Sequence, residues 1–275
     1  MSCNLPTDIV FSFTGFALRG GKTAPHADGW GLALYQGRYA RTFLEESPAC
    51  QSPMAEFIRL NPIKTLLAVA HVRKKTRGRP ALENTHPFDR TLWGRHWVFA
   101  HNGTLPQVKS RKLRWEIPIG DTDSEHAFCW MLEQLRAAFP AGYPKNHRHL
   151  WQAVAELGAE LGAEGKLNFL LADGRYLFAR CGTKLCHIVR QAPFGRATLC
   201  DADLQIDFAA VTTEKDRVAV IATEPLTRDE TWEQGEIGSM WVFDKGRVVA
   251  TLASQSTTAT ARTVARRQAK VARIS

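Results

Sequence analysis

Three strand–turn–strand signatures constrain the fold of this 275-residue chain more than any other feature. "ADGWGLALYQGRYARTF" alternates apolar and polar residues about Gln36-Gly37. "LNFLLADGRYLFARC" reverses at Asp173-Gly174, and "SMWVFDKGRVVATL" reverses at Asp244-Lys245-Gly246. Glycine and Asx residues at such places accept the positive φ of tight hairpins, and a hairpin makes its two strands antiparallel. "KTLLAVAHVR" and "RVAVIATEPL" read as buried strands, and "RHWVFAHNGT" as a strand ending at Asn102-Gly103. Helices come in separate blocks. "SPMAEFIRL" offers Ser52 as a cap and Pro53 at the first helical position. Thr122 and Glu125 have the spacing of a capping box, followed by an apolar stripe of Phe128, Met131, Leu132 and Leu135. Leu150, Val154, Leu157 and Leu161 make a second stripe. Strands and helices grouped this way, without βαβ alternation, predict an α+β layer structure with mainly antiparallel sheets. The opening stretch, "MSCNLPTDIVFSFTG", reads as the remainder of a first strand.

Composition removes some classes of function. Hydrophobic content of 44% and charged content of 23% suit a globular chain. No apolar run approaches the ~18–20 residues of a membrane span, and no basic region precedes an apolar stretch at the N-terminus. A cytoplasmic protein without a membrane partner is the expectation. The six cysteines are dispersed and none has zinc-site spacing, so no metal and no cofactor are expected. A net charge of +9 invites a nucleic-acid partner. Five of those charges, Arg262, Arg266, Arg267, Lys270 and Arg273, lie in a Ser/Thr/Ala-rich tail without acidic residues. Residues 1–253 are therefore read as one domain and 254–275 as a basic, disordered tail, and nucleic acid is not the expected partner.

Chemistry-bearing residues gather in a few short stretches near strand ends and a helix start. "AHVRKKTRG" holds His71, Arg73, Thr76 and Gly78. "ENTHPF" holds Asn84 and His86, "FAHNGT" holds His101, Asn102 and Gly103, and "GDTDSE" holds Asp121, Thr122, Asp123 and Ser124. An arginine fork suits a carboxylate, and an aspartate in the first turn of a helix can accept from an ammonium group. Arg73 and Asp123 together could hold the two charged ends of an α-amino acid. The side-chain amide of Asn102 and the unshielded main-chain N–H of Gly103 could form an oxyanion hole. Taken singly each has a plainer reading: Arg73 as part of a basic surface, Asn102-Gly103 as a turn, and Asp123 as a partner of the helix dipole.

In order and spacing, these stretches resemble the class II glutamine amidotransferases of the N-terminal nucleophile hydrolase group. The family's H-x-R-x-x-T-x-G, N-x-H-P, H-N-G and D-x-D-S-E segments stand here at 71–78, 84–87, 101–103 and 121–125. "PHADGWGLALY" resembles the family's Gly-rich second strand, and "NFLLADGRY", "RQAPFG" and "VIATEPLT" resemble a small stand-alone bacterial branch. The resemblance implies a four-layer αββα sandwich of two antiparallel sheets. It implies Arg73 on the α-carboxylate of a glutamine or γ-glutamyl substrate, Asp123 on its α-amine, Asn102 and Gly103 as the oxyanion hole, and Thr76 and His86 shaping the pocket. The implied activity is hydrolysis of a γ-amide, with ammonia either released or passed to a separate synthase subunit. The alternative from another class is a non-catalytic glutamine- or glutamate-binding or regulatory protein.

The family's nucleophile is an N-terminal cysteine whose own α-amine serves as base. Here residue 2 is Ser and residue 3 is Cys. "MSCNLPTDI" matches the part of the family strand that follows the nucleophile, so Cys3 falls on an ordinary small position. The expectation is that the chain starts at an internal Met and that the catalytic cysteine stands just upstream. A Ser2 nucleophile, or Cys3 exposed by further trimming, are the other two options.

Overall fold

The computed structural model describes residues 1–74 and 80–253. Its strands are β1 (Ser2–Asp8), β2 (Trp30–Gln36), β3 (Tyr39–Glu45), β4 (Lys64–Val72), β5 (Phe88–Leu92), β6 (Arg95–Thr104), β7 (Lys166–Ala172), β8 (Leu177–Arg180), β9 (Cys186–Gln191), β10 (Arg196–Thr198), β11 (Gln205–Asp207), β12 (Arg217–Ala222), β13 (Glu233–Gln234), β14 (Met240–Asp244) and β15 (Arg247–Leu252). The helices are α1 (Val10–Arg19), α2 (Pro53–Leu60), α3 (Asp123–Ala138), α4 (His147–Gly162) and the single turn α5 (Phe208–Val211).

One sheet runs β13-β9-β12-β1-β4-β2-β3 and the other β15-β14-β8-β7-β6-β5. Every pairing within them is antiparallel. Alternation along the strands sends one face of each sheet inward. Leu67, Val69, Ala219 and Ile221 of the first sheet meet Val98, Ala100, Ala172 and Leu177 of the second. The outer face of the first sheet, with Leu32, Leu34 and Ala68, is covered by Phe13 and Ala17 of α1 and Ile58 of α2. The outer face of the second, with Phe99 and Phe169, is covered by the predicted stripes of α3 and α4. The result is the four-layer αββα sandwich that the resemblance implied.

The three hairpins fall where the sequence put them. Lys245 and Gly246 have φ of 51° and 73°, the pair of left-handed residues a tight turn needs. Ser52 accepts from the Ala55 N–H at 2.9 Å, and Pro53 opens α2. Two elements depart from the sequence reading. The opening stretch is only half strand: Asp8 accepts the Val10 N–H at 3.1 Å and starts α1, whose Phe13 and Ala17 dock on the sheet. No strong cap or glycine marks that boundary in the sequence. The capping box is also half formed. Thr122 accepts the Glu125 N–H at 3.1 Å, but the Glu125 carboxylate turns to the Ile119 and Gly120 N–H groups (2.9 and 2.8 Å) and to Arg90. The partly buried Arg90, paired with the buried Glu125 carboxylate, outcompetes the reciprocal cap. The tail beyond residue 253 lies outside the described residues.

Candidate active site

The sandwich brings most of the sequence-selected residues to one end of the two sheets. β6 runs out of the buried core and ends at Asn102, Gly103 and Thr104, the last three residues of the strand. Gly103 has φ of 155°, and a Cβ there would lie 1.9 Å from the Lys166 carbonyl oxygen and 2.7 Å from the His101 ring. Only glycine lets β6 approach β7 this closely. Asn102, exposed and unencumbered at its side chain, is held from behind. Its carbonyl accepts from Asn168 Nδ2 at 3.1 Å.

Asn168 was not singled out in the sequence, although a polar residue inside the apolar run "LNFLL" is a signal of sorts. Its Oδ1 accepts the N–H groups of Gly182, Thr183 and Lys184 at 3.0, 3.0 and 3.2 Å, and its Nδ2 also donates to the Thr183 hydroxyl. One buried amide thus ties the loop between β8 and β9 to the main chain of Asn102.

His101, on the opposite face of β6, is buried and fully partnered. Its Nε2 lies 3.1 Å from the Lys166 carbonyl, which can only accept, so Nε2 carries the proton. Nδ1 then accepts from the Ser124 hydroxyl at 2.9 Å. This sets a neutral tautomer, and burial depresses the His101 pKa further. Ser124 follows Asp123 at the start of α3, so the chain His101–Ser124 fixes where Asp123 stands. Asp123 Oδ2 accepts the Leu105 N–H at 2.7 Å, closing β6 onto the helix start.

Arg73 and His86 both stand near His71 at the end of β4. Arg73 follows β4, is buried, and exchanges main-chain bonds with the segment before β2: its N–H donates to Gly29 at 2.8 Å and its carbonyl accepts from Asp28 at 3.0 Å. The guanidinium donates weakly to the Asp28 carbonyl at 3.4 Å. His86 packs its ring 4.4 Å from His71 and 4.5 Å from Phe88. Its carbonyl rests where a side chain on residue 31 would stand, 2.4 Å from the Cβ position, so Gly31 makes room for it. Neither ring nitrogen of His86 has a hydrogen-bond partner among the described residues. Burial holds its pKa well below the usual histidine value, helped by His71, His101 and Arg73. Burial lowers His71 to about 3, again with help from His101. Thr76 lies outside the described residues.

A cavity of about 1010 Å³ opens against these groups. Asn102, Asn168, His71 and His26 line it, under the apolar roof of Phe13 and Phe16. Gly103, Arg73, His86 and Asp123 are not among its lining residues. His86 stands behind one residue that does line it, His71. Neither Ser2 nor Cys3 reaches the cavity. The Ser2 hydroxyl accepts the Gly246 N–H at 3.2 Å between the sheets. Cys3 packs with Cys186, Val218, Val220, Leu226 and Trp232, and burial pushes its thiol up to about 11. A thiol there is protonated at neutral pH and is a packing group.

The comparisons with known proteins agree with this architecture. The model of the family "Glutamine amidotransferases class-II" matches residues 1–267. The chain is 50% identical over 249 residues to "Putative glutamine amidotransferase YafJ" of Escherichia coli (strain K12), covering 90% of this chain and 97% of that one. It is 42% identical over 250 residues to a "Putative glutamine amidotransferase" of Haemophilus influenzae, covering 91% and 84%. The crystal structure of a "predicted glutamine amidotransferase from Pseudomonas aeruginosa PA01" superposes with a TM-score of 0.70 at 40% identity, covering 90% of this chain and 97% of that one. The glutamine phosphoribosylpyrophosphate amidotransferase of B. subtilis shares the fold, with a TM-score of 0.58 at 14% identity over 92% of this chain and 48% of its own length. Sequence, sandwich and strand-end constellation converge, and the chain belongs to the class II glutamine amidotransferases.

Proposed function

We propose that this protein is an amidohydrolase that takes glutamine or a γ-glutamyl compound and cleaves its γ-amide. The observation that carries the proposal is the end of β6. The Asn102 amide lines the cavity, Asn168 fixes the Asn102 main chain from behind, and the main-chain N–H of the next residue, Gly103, is taken as the second donor. Two preorganised donors of this kind stabilise the oxyanion that forms when a nucleophile attacks a carboxamide carbon. Arg73 receives the substrate's α-carboxylate and Asp123 its α-amine, with Thr76 and His86 shaping the pocket. The histidines near Arg73 are held neutral by burial and bring no positive charge of their own. In the chemistry the family resemblance implies, a terminal-cysteine thiolate adds to the γ-carbon, the amide nitrogen takes a proton and leaves as ammonia, and water then cleaves the thioester to glutamate and the free thiol. Ammonia either leaves or passes to a separate synthase subunit, and the setting proposed is the cytoplasm.

The test uses native protein purified from its source, with its N-terminus sequenced. It should release glutamate and ammonia from glutamine or a γ-glutamyl amide. Arg73→Ala should raise KM strongly, and Asn102→Ala should lower kcat by roughly 10²–10³-fold with little change in KM. A second reading, a glutamine- or glutamate-binding protein without turnover, draws on one observation: Ser2 and Cys3 both point into packed interior. Calorimetric binding of glutamate by a native protein that releases nothing from any γ-glutamyl amide would replace the first reading with the second.

A further inference from the structure

The segment between β6 and α3 carries three large apolar side chains that the protein leaves uncovered. Trp115 is 52% exposed, Ile117 81% and Ile119 78%. A connecting segment ordinarily has few fixed main-chain partners. Here two buried carboxylates of α3 pin it. Glu133 Oε1 accepts the N–H groups of Arg114, Trp115 and Glu116 at 2.7, 2.6 and 2.9 Å. Glu125 accepts those of Ile119 and Gly120 at 2.9 and 2.8 Å. Between them Glu116 turns back to Arg90 and Arg136. The Asp121 N–H donates to Asn84 Oδ1 at 2.9 Å. The main chain is thus bound inward, and the three apolar side chains stand outward as a fixed ridge. A ridge already held in one conformation loses little freedom when it is covered, and a fixed apolar patch in water marks a contact surface.

The two ends of the ridge carry opposite charge. On the β6 side Lys112 and Arg114 are exposed, and neither meets a carboxylate among the described residues. Arg114 lies 5.8 Å from the centre of the Trp115 ring. On the α3 side stand Asp121, exposed, and Asp123, half-buried. Lys109 binds the Asp121 carbonyl, so that end holds two carboxylates against one ammonium group. A partner surface of a single sign would be attracted at one end and repelled at the other. A second copy turned about a two-fold axis is attracted at both.

We infer that the ridge is a dimer contact, occupied by the same ridge of a second copy about a two-fold axis near Ile117. Ile117 of one copy lies on Ile117 of the other, and Trp115 of each meets Ile119 of the other. The Lys112–Arg114 end of each copy meets the Asp121–Asp123 end of its mate. Leu82, 49% exposed, widens the patch, since it opens the turn Leu82–Asn84 to which Asp121 is bonded. An aromatic and aliphatic centre inside a charged rim is the anatomy of a protein interface, and the isologous two-fold pair is the commonest oligomer. The rims of two candidate sites adjoin in such a pair, because Asn84 and Asp123 flank the acidic end. The contact is independent of whether the protein turns over glutamine.

Sedimentation velocity of the full chain tests it, at concentrations up to about 100 µM and about 0.05 M salt, where surface charges are little screened. The mass should rise toward that of two chains. Ile117→Asp should weaken association at least about tenfold and leave the thermal midpoint unchanged, since that side chain is 81% exposed. Arg114→Glu and Asp121→Arg should each weaken it about three- to tenfold by setting like charges together. The two substitutions in one chain should restore association to within about twofold, because both ends are then reversed. A chain that stays monomeric throughout overturns the inference. A dimer indifferent to Ile117→Asp overturns it as well, and so does a doubly substituted chain no tighter than the single variants.

Discussion

At the scale of single residues, Gly103 and the buried histidines carry consequences that can be measured. A methyl group at position 103 would sit 1.9 Å from the Lys166 carbonyl oxygen and hold a φ of 155°. Gly103→Ala must therefore push β6 from β7 or distort the strand end. Its unfolding free energy should fall by at least about 2 kcal/mol, read from the urea midpoint, and an unchanged midpoint would contradict the close approach. His71, His86 and His101 are all held neutral in the folded protein by burial. His71 faces the positive charge of Arg73 and the neighbouring rings of His26 and His101, while Asp123 opposes the effect only at His101. Unfolded, each histidine takes a proton below about pH 6.5. The unfolded state then binds more protons than the native state, so stability is unaffected above that pH and is lost as pH falls through it. For His71 the loss continues toward its folded value of about 3. Urea midpoints should decline from pH 7 to pH 5, and His86→Leu should make that decline shallower. A flat profile would mean that these rings titrate normally.

Elements are positioned here by single buried acceptors. The loop between β8 and β9 hangs on Asn168 Oδ1, which takes three consecutive N–H groups. Asn168→Ala should cost about 1 to 3 kcal/mol and free the Gly182, Thr183 and Lys184 amides to exchange. Asn168→Asp keeps the acceptor and should keep most of that protection, while it loses the donor to the Asn102 carbonyl. If glutamine turnover falls in both variants but loop protection only in the first, the amide's hold on Asn102 is separated from its hold on the loop. The segment before α3 is built the same way. Glu133 Oε1 accepts the N–H groups of Arg114, Trp115 and Glu116 at 2.7, 2.6 and 2.9 Å, and Glu125 gathers Ile119, Gly120 and Arg90. Glu133→Gln, which keeps an acceptor without its charge, should leave α3 folded and speed exchange at amides 114–116 several-fold.

At the scale of the whole molecule, the sandwich places the ends of β4 and β6, on different sheets, around one cavity. Local chemistry determined much of this from the sequence alone. Hairpin turns at Gly37, Gly174 and Gly246 impose antiparallel pairing, so mainly antiparallel sheets were legible from the residues, and the two-sheet sandwich followed from the family resemblance. The stripe Phe128–Leu135 and the Ser52 cap made α2 and α3 legible in the same way. The order of His71, Arg73, His86, Asn102 and Asp123 pointed to one pocket and one family before any contact was known. Contacts between segments distant in sequence decided the rest. Glu125 left its capping box because Arg90, 35 residues away, offered a partly buried opposite charge. Asn168 gained its role because β7 pairs with β6 opposite Asn102. Cys3 became a packing group because β12 and Trp232 close over it. Ser2 turned to the packed interior because β12 and β4 flank it at Ala219 and Leu67, and no local pattern in a chain encodes which distant strands will close on either side of it.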